Sequence, residues 1–259
     1  MKSLLTIGGC QIPVTNDISK NLIEIKKAID WASDNNVNIL GTPECALSGY
    51  MWYPENSDDQ RVSDIVNTLE EIKQYSKLKN VDIILGTAFY NDNNKWANTQ
   101  KFIVEGHVVH THYKTVVFED FYEPGTGSYS IDYKGIKIAG LICNDYWANP
   151  FKWPDATGQL VKSLFEQKTQ IVFVSANVPK HISEDLFYRW HNMCVEFFSK
   201  MGDWITVVCD SPYLMNGEPY DGWTGVQSGI VGPRHRTVKS REYGTDYYKF
   251  TIDFSYYRH

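Results

Sequence analysis

The chain has 259 residues, of which 42% are hydrophobic and 22% charged, and its formal net charge is -6. This length and composition suit an ordinary globular protein. Acidic and basic residues are interspersed, which argues against a nucleic-acid partner, and no apolar run is long enough to span a bilayer.

No Ser/Gly/Pro-rich linker, charge block or repeat divides the chain, so residues 1–259 read as one domain. The five cysteines, Cys10, Cys45, Cys143, Cys194 and Cys209, are odd in number and widely spread, with no Cys-x-x-Cys pair. They suggest neither a disulfide framework nor a zinc site, and a reducing cytoplasm fits them.

Residues 3–10 read as a strand; Leu4-Leu5-Thr6-Ile7 is too short an apolar run for a signal peptide ending at Cys10. Ser19 is the expected N-cap of the next helix, with Ile18 and Ile23 spaced as a hydrophobic staple. Leu22, Ile25, Ala28, Ile29 and Ala32 give that helix one apolar face. Residues 37–40 form a second strand, so the chain opens β-α-β, which implies parallel pairing. The loop Gly41-Thr42-Pro43-Glu44-Cys45 follows and sets Glu44 just beyond a core strand. A loop glutamate is most often simply solvated.

Val62, Ile65, Val66, Leu69, Ile72 and Leu78 mark a second helix, capped by Ser57 or Asp58. Residues 81–89 are rich in β formers, and residues 96–104 and 107–112 predict a hairpin about Glu105-Gly106. His110 and His112 share one face of that strand and His107 points the other way. With no carboxylate or cysteine at fitting spacing, they read as a polar strand face, and no metal is expected. Lys114 follows with the parity of His110 and His112.

Ile136-Lys137-Ile138-Ala139-Gly140-Leu141-Ile142 reads as a strand buried on both faces. It ends in Cys143, followed by Asn144, Asp145, Tyr146 and Trp147. Alone, such a cysteine reads as a small buried hydrophobe; the end of a strand in an open α/β sheet is also where chemistry is exposed. Helices over residues 155–168 and 184–200, with strands over 170–175, 204–209, 225–231 and 247–254, complete a layered α/β alternation.

Glu44, Lys114 and Cys143 thus each follow a different predicted strand. A thiol needs a base to become a nucleophile, and an acyl-transfer intermediate needs a cation or donor at its oxyanion. These side chains supply base, cation and nucleophile, although the sequence by itself does not bring them together.

The ordered motifs resemble the nitrilase, or carbon–nitrogen hydrolase, superfamily. They are Pro43-Glu44 with Leu47-Ser48-Gly49-Tyr50; Tyr113-Lys114; Glu119 through Pro124-Gly125; Leu141-Ile142-Cys143-Asn144-Asp145; and residues 225–233. The resemblance implies a four-layer α-β-β-α sandwich with mixed sheets, commonly a homodimer, working on a small molecule without a cofactor. It implies Glu44 as general base, Lys114 as oxyanion group, Cys143 as nucleophile and Glu119 as an assisting carboxylate. Asn144, Tyr50 and Trp147 are the expected substrate contacts, and Tyr50, Met51, Trp52 and Tyr53 after the Glu44 loop read either as a pocket wall or as core or dimer contacts. The cysteine motif is similar to that of N-carbamoyl-D-amino-acid amidohydrolases. Tyr146 and Trp147, however, stand where those enzymes carry carboxylate-binding arginines, which leaves Arg189 or Arg234 as substitutes. The expected activity is thiol-dependent hydrolysis of an amide or N-carbamoyl bond. The alternatives are a nitrilase, a Cys-His hydrolase using His181 or His191, and a catalytically silent binding or scaffold protein of the same fold.

Overall fold

The computed structural model describes residues 4–50, 59–148, 155–178, 185–212, 214–215, 218–219, 224–234, 236–241 and 243–254. The first half runs β1 (Leu4–Gln11), α1 (Ile18–Asp34), β2 (Ile39–Gly41), α2 (Asp59–Lys79), β3 (Asp82–Tyr90), β4 (Trp96–Val104) and β5 (His107–Tyr113). The second runs β6 (Ile131–Tyr133), β7 (Ile136–Ile142), α3 (Asn144–Trp147), α4 (Ala156–Glu166), β8 (Ile171–Ser175), α5 (Asp185–Gly202) and β9 (Ile205–Cys209). It then continues through β10 (Leu214–Met215), β11 (Glu218–Pro219), β12 (Gly229–Val231), β13 (Arg236–Lys239) and β14 (Asp246–Asp253).

Two six-stranded sheets have the orders β14-β1-β2-β3-β4-β5 and β13-β12-β9-β8-β7-β6. In each, the central strands are parallel and the flanking pairs antiparallel. The period-2 alternation of strands explains the layering. On β7, Ile136 and Ile138 point between the sheets while Ala139 and Leu141 point outward. On β8, Ile171 and Phe173 point inward, and Val172 and Val174 outward. Both faces are buried, so these strands read as continuous apolar runs. One core lies between the sheets. A second joins the first sheet to α1 and α2 through Ile25, Ala28, Ile29, Ile65 and Ile72. The third joins the other sheet to α3, α4 and α5 through Tyr146, Leu160, Leu164 and Val195. The result is a four-layer α-β-β-α sandwich with mixed sheets.

Two local expectations are corrected. The N-cap of α1 is Asp17, not Ser19: its carboxylate accepts from the N–H groups of Ser19 and Lys20 at 2.9 and 3.1 Å. A carboxylate there also favours the positive end of the helix dipole. The late strand covers only Gly229–Val231. Gly225 and Val226 lie outside it because their N–H groups donate to the Asp210 carboxylate at 2.9 and 3.1 Å. The proposed caps Ser57 and Asp58 lie outside the described residues.

Candidate active site

Ser175, the last residue of β8, and Ala176 after it hold the Cys143 turn and the Glu44 loop. Cys143 N–H donates to the Ser175 carbonyl at 2.9 Å, and Glu44 N–H donates to the Ala176 carbonyl at 3.1 Å. The Ser175 hydroxyl donates across the sheets to the Thr42 carbonyl at 2.7 Å and accepts from Gln100 Nε2 at 2.6 Å. The Glu44 loop is further laced to β3: Gly86 N–H donates to Thr42 Oγ1 at 3.0 Å, and Leu47 N–H to the Gly86 carbonyl at 3.1 Å. A Cβ on Gly86 would lie 2.1 Å from the Pro43 carbonyl oxygen, so glycine alone permits this approach.

Cys143 has φ 47° and ψ −108°, a backbone state that residues with a Cβ rarely adopt. The chain there turns sharply from β7 into α3, with Tyr146 N–H donating to the Cys143 carbonyl at 2.9 Å. Cys143 is partly exposed while the other four cysteines are buried. Lys114 leaves the end of β5, its N–H donating to the Asn98 carbonyl and its carbonyl accepting from Gly125 N–H, both at 2.8 Å.

Lys114 is 1% exposed and Glu44 0%. Lys114 Nζ lies 2.8 Å from Glu44 Oε1 and 3.7 Å from Glu119 Oε2. Glu119 Oε2 also accepts from Phe118 N–H at 3.2 Å. Asn98 Nδ2 donates to Glu44 Oε1 at 2.7 Å. One oxygen of Glu44 is therefore doubly bonded, while among the described residues Oε2 has no hydrogen-bond partner. A buried ion pair is tolerated only with such added hydrogen bonds.

Burial lowers the affinity of Lys114 for its proton, but the charges of Glu44 and Cys143 and the Glu44 hydrogen bond outweigh it, leaving the ammonium well above its ordinary range. Burial first, and then the Glu44 charge, push the Cys143 thiol up, while Lys114 pulls it down. A thiol in this setting rests protonated and requires a base at the moment of attack. Asp210 also contributes to the charge at Cys143. Burial pushes its carboxyl up to about 7, against the N–H groups of Val178, Val226, Gly225 and Ser211, which pull it down.

The remaining sequence candidates are dispersed. Asn144 is half-buried at the start of α3, and Tyr50 is half-buried at the edge of the core that joins the first sheet to α1 and α2. Trp147 is buried among the outer helices, its ring centroid 4.9 Å from that of His191 and its carbonyl accepting from Trp190 Nε1 at 3.2 Å. His191 Nδ1 meets the Gly225 carbonyl at 3.0 Å, and burial lowers its basicity. Arg189 and Arg234 are exposed, Arg189 beside Met193 and Phe197 on the outer groove of α5. Met51, Trp52, Tyr53 and His181 lie outside the described residues. Among the described residues no three metal-ligating side chains cluster, and no helix is long and apolar enough to cross a membrane.

Sequence reasoning missed Asn98 and Asp210. The signal for Asn98 was the polar run Asn98-Thr99-Gln100 inside a buried strand. Asp210 gave none beyond its place after a core strand.

No curated protein matches the chain in sequence. Among solved structures, a fluoroacetamide adduct of an amidase variant from Nesterenkonia sp. AN1, carried on its active-site cysteine, is 14% identical, with a TM-score of 0.79 over 98% of this chain and 92% of that one. The amidase of Nesterenkonia sp. itself is 17% identical, with a TM-score of 0.74 over 96% of this chain and 89% of that one. A glutamine-dependent NAD+ synthetase from Acinetobacter baumannii is 15% identical, with a TM-score of 0.78; the match covers 98% of this chain but only 46% of that longer protein. These likenesses are of fold. The family description Carbon-nitrogen hydrolase matches residues 5–258, and the chain therefore belongs to the carbon–nitrogen hydrolase family, whose nitrilase-like sandwich it adopts.

Proposed function

We propose that the chain hydrolyses an amide or N-carbamoyl C–N bond in a small molecule through a Cys143 acyl-enzyme. The observation that carries this reading is the buried Lys114, shared by Glu44 and Glu119, beside a glutamate oxygen without a partner among the described residues. Oε2 of Glu44 takes the Cys143 thiol proton as sulfur attacks the carbonyl carbon. Lys114, oriented by Glu119, and the Asn144 N–H bind the oxyanion. The proton on Glu44 passes to the leaving nitrogen as the C–N bond breaks and ammonia or an amine departs. Water, deprotonated by Glu44, adds to the thioester; the C–S bond then breaks, and the proton returns to sulfur as the acid leaves.

The side chains that set the charge at Cys143 include the carboxylates of Glu44, Glu119 and Asp210, against Lys114. A substrate carboxylate buried there needs a paired donor, or desolvation opposes binding. The test is ammonia or amine release from neutral amides, N-carbamoyl amino acids and nitriles. A neutral amide is expected to exceed its carboxylate-bearing counterpart in kcat/KM by about 10-fold or more, roughly 1.4 kcal/mol or more. Preference for the acid rejects the neutral-substrate reading, and turnover of nitriles alone rejects amide hydrolysis.

We also infer self-association through the outer side of α5, where Leu186, Met193, Phe197 and Met201 are exposed at helical spacing. Sedimentation velocity is expected to give a dimer, converted to monomer by Phe197→Lys.

A further inference from the structure

Asp145 stands two residues past Cys143 and is fully buried. Its Oδ2 accepts from the N–H of Ile142, the residue before Cys143, at 3.0 Å. Its Oδ1 accepts from the N–H groups of Thr115 and Val116, the two residues after Lys114, at 2.9 and 2.7 Å. Oδ2 also meets His112 Nε2 at 2.9 Å, two residues before Lys114. A carboxylate only accepts, so Nε2 carries the hydrogen. His112 is 2% exposed. Cys143 is therefore bracketed by Ile142 and Asp145, and Lys114 by His112 and Thr115, with one carboxylate joining the two brackets. A residue serving only its own turn would bond to Ile142 alone. The other three donors come from β5 and the loop after it, so the contacts cross from one sheet to the other.

We propose that Asp145 and His112 form a positioning unit that fixes Lys114 against Cys143. Neither side chain is assigned a contact with substrate. Its consequence for turnover rests on the function proposed above, but its consequence for Cys143 does not. Lys114 is the group that draws the thiol down against burial and the charges of Glu44, Glu119 and Asp210. Lys114 displaced from its place stabilises the thiolate less, and a misplacement of about 1 Å is enough to cost up to about 100-fold in rate.

The test is alkylation of Cys143 by iodoacetamide, followed by peptide mapping from pH 6 to 10, on variants whose circular dichroism and melting show a folded chain. His112→Leu removes the donor. Its alkylation at pH 7 is expected to slow by about 10-fold and its pH midpoint to rise, with kcat falling and KM within about twofold of wild type. His112→Gln keeps an Nε2 donor at similar reach and is expected to recover most of the rate, which a purely structural loss would not allow. Asp145→Asn places an NH2 group against N–H donors and is expected to slow alkylation further. Should His112→Leu not fold, His112→Asn replaces it, since its side chain is too short to reach Asp145. An unchanged rate and midpoint in the folded His112 variant overturn the positioning role. Alkylation that depends on His112 in an enzyme releasing no amine from any amide retains the positioning unit and rejects the hydrolysis.

Discussion

Cys143→Ala is expected to reduce turnover by at least about 10⁴-fold, to background, while the chain stays folded. Alanine keeps the Cβ and so occupies the positive-φ turn with the same backbone strain as cysteine. The side chain lost is small and partly exposed, so melting should stay within a few degrees of wild type. With wild type and a slow substrate, intact-mass measurement is expected to show enzyme plus substrate minus the leaving amine, and peptide mapping to place the acyl group on Cys143. Cys10, Cys45, Cys194 and Cys209 are buried, whereas Cys143 is partly exposed. They are therefore poor competitors for acylation. Turnover by the alanine variant, or an adduct on one of those four that tracks the reaction, would reject the nucleophile.

Lys114→Met should damage both stability and activity. It leaves the Glu44 carboxylate, 0% exposed, with Asn98 at Oε1 but without its cation. Breaking a buried ion pair from one side costs about 3–5 kcal/mol, and losing an oxyanion donor lowers kcat by a further factor of about 10²–10³. Urea unfolding should show the first loss, and substrate turnover in the folded fraction the second. Adding Glu44→Gln removes the stranded charge, so the double variant should regain stability relative to Lys114→Met and remain inactive. A single variant as stable as wild type would show that the pair does not carry a buried charge.

The central strands were legible because both of their faces are buried, which writes nearly continuous apolar runs such as Ile171 to Val174 into the chain. Glu44, Lys114 and Cys143 stand just beyond strands, but the resemblance to the family, not strand ends or parity, singled them out for their roles. Boundaries failed where a side chain took the place of a backbone partner: Asp17 capped α1, and Asp210 took the N–H groups of Gly225 and Val226. The contacts around Glu44 and Asp145 were not legible for a related reason. Asn98 lies 54 residues from Glu44, and Thr115 lies 30 from Asp145. Local propensity and periodicity carry no information about which distant polar groups will face one another.

The seam at Ser175 also bears on how the molecule acquires activity. The bond from Ser175 to Thr42 closes 133 residues of chain, and the Lys114–Glu44 bond closes 70. Closures of this length are entropically costly and slow, and they gain nothing until both ends are structured. The first sheet on its own can pair Lys114 with Glu44, but without the second sheet Gln100 and the Glu44 loop lack their partners at Ser175 and Ala176. The proposed catalytic arrangement is therefore completed by the docking of the sheets, and a chain with most of its secondary structure but undocked halves would lack it. During refolding, recovery of the hydrolysis proposed above would lag behind recovery of far-ultraviolet dichroism, making the reaction a readout of sheet docking.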